Sequence, residues 1–342
     1  MPAEQQNSEP AAAGLKRTDF FAAMRANRRR TTFLCLGLIL LGGVLGYVIG
    51  LALEVFTAQD PDFALHKGLR LQSLGGLAAG GFMIVFGTLW TLVALFFGDK
   101  IVLGLAGAKE VTKDDEQQLH NVVEEMAIAA GLPKPRVYVI ETPALNAFAT
   151  GLKPEKAAIG VTRGLLQKLN RDELQGVIGH EMGHIANDDI VYMTAVGVIV
   201  GLVVVISDVG LRSMRFMSFG GRSRSSSSDS KGGGAAALVM LVILLVFLIL
   251  APIAAKLLQM AISREREYLA DATGVKFTRN PLGLIGALKK IEGSDARFDG
   301  APKSIQHLFI TNPFKNFGEK AGAMFSTHPA ISLRIERLQN LG

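Results

Sequence analysis

Four apolar runs decide most of what this chain can fold into. Its 342 residues have a mean hydropathy of +0.32, and the apolar side chains gather in residues 33–56, 74–97, 190–207 and 235–258. A helix needs about 20 apolar residues to cross a hydrocarbon core roughly 30 Å thick. The first, second and fourth runs meet that length and the third is borderline, so the expectation is an α-helical integral membrane protein with four transmembrane helices.

Charge then orients the spans. Arg25, Arg28, Arg29 and Arg30 precede the first run, which puts that end on the cytoplasmic side and makes the run an uncleaved anchor. The second run returns the chain before Asp99 and Lys100. The segment 208–234 carries Arg212, Arg215, Arg222, Arg224 and Lys231 against Asp208 and Asp229. That basic balance favours a hairpin dipping into the bilayer, whereas run length favours full crossing, which is the expectation adopted here. Residues 1–30 are expected to form a disordered tail, and the Ser/Gly-rich stretch 220–234 a disordered insert.

Composition removes several function classes. The net charge of +6 is spread along the chain and not interleaved with aromatics, so nucleic acid is not an expected partner. No phosphate-binding loop motif is present, so neither is a nucleotide. The single cysteine, Cys35, permits no intramolecular disulfide and no cysteine-ligated zinc.

The chemistry concentrates in His180-Glu181-Met182-Gly183-His184. On a helix, residues four apart share a face, so both imidazoles can reach one metal ion. Glu181 lies at the flank of the pair, where a general base for zinc-assisted hydrolysis would stand. Tetrahedral zinc with an open position needs one more protein ligand. No third histidine follows closely, since Asp188 and Asp189 stand there instead. Glu267 and Asp271 are four apart on a second expected helix; one can bind the metal while the other orients an imidazole. Spacing alone leaves the two tied. Near the C-terminus, His328 and Arg334 are candidate donors to the oxyanion of a peptidase reaction. His66, His120 and His307 read as structural or solvated.

Around these residues the pattern suggests a zincin-type α+β catalytic domain. Thr112 with Asp115 reads as a capping box opening a helix with Leu119, Val122, Val123 and Met126 as its apolar stripe. Residues 136–140, 144–151 and 157–161 read as strands, residues 163–169 as a helix, and Asp172 as the cap of the histidine-bearing helix. A small sheet with a free edge could hold an extended peptide across the metal. The expected division is a tail (1–30), two spans (31–98), a first catalytic segment (99–189), a transmembrane hairpin (190–260) and a second catalytic segment (261–342). Because His180 and His184 precede the hairpin and the remaining ligand follows it, an even number of crossings must separate them, which keeps the site on the cytoplasmic side.

Taken together, His180-Glu-x-x-His184, Glu267-x-x-x-Asp271 after an apolar hairpin, and Ser-Thr-His328-Pro with Arg334 resemble the HtpX heat-shock membrane protease family, which belongs with the CAAX prenyl endopeptidases. Asn146-Ala147-Phe148-Ala149 is similar to that family's substrate-binding edge strand. The resemblance covers residues 31–342. It implies that Glu267 is the third zinc ligand, with one zinc per chain, and that Asp271 and Arg334 support the site while His328 serves catalysis. It also implies a multi-pass protein of a bacterial cytoplasmic membrane that hydrolyses misfolded or damaged membrane proteins. The alternatives are a CAAX-type prenyl endopeptidase, for which four spans are few, and a non-catalytic zinc scaffold, which would have no use for Glu181.

Overall fold

The first two apolar runs form long helices that pair with each other. α1 (Phe20–Thr57) and α2 (Leu74–Leu105) belong to a computed structural model that describes residues 20–57, 73–199, 201, 264–296, 298, 304–311 and 329–340. Among these residues two helices are long and apolar enough to cross a membrane. Of the third run, α6 (Asp189–Ile199) is described; the fourth run, the insert 220–234, residues 1–19 and His328 lie outside the described residues. Residues 20–30, expected within a disordered tail, are helical, in keeping with their Ala, Met and Arg content, and begin α1. The two helices pack closely: a Cβ on Gly50 would overlap the Gly75 carbonyl. Ser73 caps α2 by accepting from the Gly76 amide at 2.8 Å, and the Glu54 carboxylate of α1 accepts from the Gly75 amide at 2.7 Å. Outward faces carry exposed Phe33, Leu40, Val44, Phe82 and Phe96, side chains that water would not tolerate in such a stripe.

α2 does not stop at Asp99. It runs on to Leu105, and Asp99 is buried and accepts from Arg136 at 2.5 Å. This ties the helix to a four-stranded sheet of order β1-β2-β4-β3, comprising β1 (Lys109–Glu110), β2 (Arg136–Ile140), β3 (Ala147–Thr150) and β4 (Ala158–Thr162). β2 and β4 are parallel, while β1 and β3 pair antiparallel at either side. The expected strand 144–151 is confined to Ala147–Thr150: at one end the Asn146 amide donates to the Thr162 hydroxyl at 2.9 Å, and at the other Gly151 turns away at φ 143°.

Strand alternation gives the sheet two buried faces. Val137, Val139, Ala147, Ala149, Ile159 and Val161 pack against α3 (Gln117–Ala130) and α5 (Arg171–Ala186). Tyr138, Ile140, Phe148 and Ala158 face Ala94, Val102 and Leu103 of α2, together with Phe309. α4 (Arg163–Lys168) follows the sheet. Later in the chain come α7 (Arg264–Thr278), α8 (Pro281–Glu292) and α9 (Ile331–Gln339), of which the last two were not anticipated.

Two caps fall elsewhere than expected. Thr112 and Asp115 do bond to each other, at 2.7 Å, but they close a turn ahead of α3, which begins at Gln117. Asn170, not Asp172, caps α5: its side chain accepts from the Glu173 amide at 2.9 Å, and the Glu173 carboxylate accepts from the Asn170 amide at 2.8 Å. Asn170 has the extended backbone a cap requires, whereas Asp172 is already helical and contributes through the dipole of the first turn.

Candidate active site

α5 delivers His180 and His184 to one face, and a close helix crossing delivers the carboxylates. A Cβ on Gly183 would lie 2.8 Å from the Ala270 carbonyl of α7, and one on Gly274 would lie 2.8 Å from the His180 amide. Only glycine at both positions lets the two backbones approach so nearly. The approach places Glu267 Oε1 3.6 Å from His184 Nε2 and Glu267 Oε2 3.8 Å from His180 Nε2. Ligand atoms of His180, His184 and Glu267 all lie within 4.8 Å of one another, and all three residues are buried.

The other nitrogen of each ring is held by a carboxylate. His180 Nδ1 donates to Asp271 Oδ1 at 2.9 Å, and His184 Nδ1 donates to Asp189 Oδ2 at 3.1 Å. Both Nε2 atoms are thereby turned toward Glu267. Asp189 was missed by the reading of the sequence, although its signal is there: an acidic residue opening the helix directly after the histidine pair. The chain reaches it through Asp188 at φ 56°, a left-handed turn that aspartate tolerates.

Arg334 is fully buried beside this cluster. Its Nε and Nη2 donate to the two oxygens of Asp271, at 2.9 and 2.6 Å, and its Nη1 donates to the Ile310 carbonyl at 3.1 Å. The forked contact locks Asp271 against His180. These commitments place Arg334 behind the imidazole, not at an open oxyanion position.

Electrostatics sort the groups into roles. Burial, then the nearby Arg334 charge, lowers His180 to about 4 against the pull of Asp271, so the ring is neutral. Burial would also lower His184, but Asp189, Glu267 and Glu181 together outweigh it and raise that ring to about 9. Burial, with Glu267 adding to it, pushes Glu181 up to about 7 against His184 and Arg334. The backbone amide of Ala149 also opposes this shift, but neither Glu181 oxygen completes a hydrogen bond. Burial disfavours the charged form of Asp271, yet Arg334 and His180 hold it below the usual carboxylate range. Paired imidazoles beside Glu267, with an unbonded buried carboxylate at Glu181, make a pocket that attracts a cation. Two nitrogens and one oxygen fit a borderline ion such as zinc.

Asn146, Ala147, Phe148 and Ala149 are buried. β3 packs against α5, but its outer edge is not free: Phe309 bridges to Phe148, and the Ile310 amide donates to the Ala147 carbonyl at 2.9 Å. His120 Nε2 meets the Val111 carbonyl at 2.9 Å and His307 Nε2 the Met193 carbonyl at 2.9 Å, both structural contacts. His66 lies outside the described residues.

A helix-borne histidine pair, a carboxylate from a second helix and a buried flanking glutamate define the metallopeptidase class. Consistently, the description of Peptidase family M48 matches residues 113–341. Curated relatives narrow the class. A protease HtpX homolog of Listeria monocytogenes is 41% identical over 94% of this chain and 99% of its own length. Another, from Caldanaerobacter subterraneus, is 46% identical over 76% of this chain and 84% of its own length. Among solved structures, that of S. mikatae Ste24p aligns with a TM-score of 0.45 at 19% identity, covering 93% of this chain and 66% of that one, just under two thirds of its length. The chain therefore belongs to the HtpX proteases of peptidase family M48. Its activity is that of a membrane metalloprotease.

Proposed function

We propose that His180, His184 and Glu267 hold one zinc ion and that Glu181 is the general base of a gluzincin-type endopeptidase. The observation that carries this reading is the convergence of those three ligand atoms from two helices, with Glu181 buried beside them and unbonded. When bound, zinc supplies Lewis acidity to the attacking water and the scissile carbonyl. Glu181 takes the proton of that water and delivers it to the leaving amine. Asp271, clamped by Arg334, and Asp189 keep the two imidazoles in the tautomer that offers Nε2. His328 remains our candidate for the oxyanion donor.

α1 and α2 hold the enzyme in a bacterial cytoplasmic membrane, with the site on the cytoplasmic side. Extended segments of misfolded membrane proteins are the substrates we assign to it. The test is casein hydrolysis by the detergent-purified protein beside its Glu181→Gln variant, with zinc measured on both. The expected outcome is one zinc in each and a loss of at least about 10²-fold in kcat for the variant, the scale of a missing general base. Near-full activity in Glu181→Gln would overturn the assignment.

A further inference from the structure

If the site is a peptidase, a substrate strand needs the outer edge of β3, and this chain already fills it. The Ile310 amide donates to the Ala147 carbonyl at 2.9 Å. The Asn146 side chain donates to the Thr311 carbonyl at 2.9 Å and accepts from the Thr311 amide at 3.3 Å. Arg334 Nη1 donates to the Ile310 carbonyl at 3.1 Å, while Nη2 of the same guanidinium lies 3.3 Å from His180 Nδ1. The segment runs antiparallel to β3, between the strand and the group that steadies a metal ligand.

We propose that Ile310 and Thr311 are an internal occupant of the substrate groove, displaced when an extended polypeptide binds. The proposal rests on the peptidase reading and adds its regulation. Packing holds the first half of the segment, while hydrogen bonds and the buried Ile310 side chain hold the second. Phe309 is anchored by packing: its ring centroid lies 5.2 Å from Phe148 and 5.6 Å from Phe298. Just before it, His307 is fixed on the Met193 carbonyl. Ile310 and Thr311 also hold to Ala147, Asn146 and Arg334 by the four hydrogen bonds above, one to the strand backbone and three to the Asn146 and Arg334 side chains; each uses a backbone group of the segment, and an incoming strand offers the same groups. Exchange of equivalent hydrogen bonds is nearly neutral in free energy. The departing segment also vacates the buried site of the Ile310 side chain, which an aliphatic side chain of the substrate would refill. Extended segments bearing such a residue are therefore the favoured substrates. Competition by the occupant lowers apparent affinity by the fraction of molecules in which the groove is open.

The experiment uses full-length, zinc-loaded protein in detergent and casein as the polypeptide. Ile310→Pro deletes the amide that bonds Ala147. The expected result is a kcat/KM raised roughly three- to tenfold, mainly through a lower KM, the scale of one lost hydrogen bond. An unchanged or lower kcat/KM at unchanged melting temperature would overturn the proposal. Should the variant melt much lower, amide exchange on Glu181→Gln decides. Residues 310–311 should exchange faster with saturating casein while Phe148 and Gly160 stay protected; continued protection of 310–311 would reject displacement. Hydrolysis surviving in Glu181→Gln would instead indict the peptidase assignment, and the exchange result would still report on the groove.

Discussion

Glu181 carries a large electrostatic burden in this site. Burial and Glu267 raise its carboxyl from 4.5 to about 7. In metal-free protein the folded state therefore holds a proton that the unfolded state has already released between those values. Stability must fall as pH rises across that window, because the unfolded chain binds fewer protons there. Gln at this position mimics the neutral form at every pH. Chelated Glu181→Gln should accordingly match wild type near pH 4 and exceed it above pH 7, by a margin on the order of 3 kcal/mol for a shift of this size. Melting temperatures of the two chelated proteins across pH 4–8 check this, and parallel curves would mean that burial does not strain Glu181. The residue's role could be read from its place in the motif; the strain could not, since it arises from burial in the folded chain and then from Glu267, 86 positions away.

The helices that bring the ligands together were read unevenly from the sequence, for physical reasons. α5 announced itself through the histidine spacing, and Glu267 and Asp271 through theirs. At the α5–α7 crossing Asp271 turns to His180 Nδ1 and Glu267 to both Nε2 atoms, which supports Glu267 as the ligand we propose. Gly183 and Gly274 set that crossing, and neither glycine signals its partner in a linear reading. Cap assignment slipped from Asn170 to Asp172 because both residue types suit a helix start, and backbone conformation alone separates them. Asp189 escaped notice because its role depends on the left-handed Asp188 that joins α5 to α6. As the first residue of α6, Asp189 links an apolar helix to a metal ligand. Asp189→Ala should weaken zinc binding about 10- to 100-fold, the usual effect of losing such a partner, while Asp189→Asn, which keeps an acceptor, should recover part of it. Zinc competition against a chromogenic chelator measures both; equal affinity in all three proteins would remove Asp189 from the site.

The spans and the catalytic unit share a core. α2 leaves its paired stretch with α1 and becomes one wall of the sheet through Ala94, Val102 and Leu103, pinned by the Asp99–Arg136 pair. Hydropathy foretold the two long apolar helices found among the described residues but not this shared wall, because Asp99 and Lys100 looked like a terminus and are in fact mid-helix. The third apolar run joins the same wall: a Cβ on Gly98 of α2 would lie 3.2 Å from Thr194 Cγ2 of α6. The Thr194 hydroxyl in turn bonds Thr150 at 2.9 Å and accepts from the Gly151 amide at 3.1 Å, where β3 ends. A chain of direct contacts thus runs from the membrane helix through α6 to the strand beside Glu181. Because α6 begins at Asp189, a shift of α6 would reach His184 as well. Gly98→Leu should push α2 and α6 apart, at a cost of about 1–3 kcal/mol for overpacking, and lower both melting temperature and zinc affinity. Gly104 lies on the same helix with nothing within 4 Å of its Cβ position, so Gly104→Leu should leave both readouts near wild type. If the two variants behave alike, the catalytic unit does not depend on how α2 seats against α6; if Gly98→Leu alone releases zinc, the arrangement of the membrane helices is part of what holds the metal.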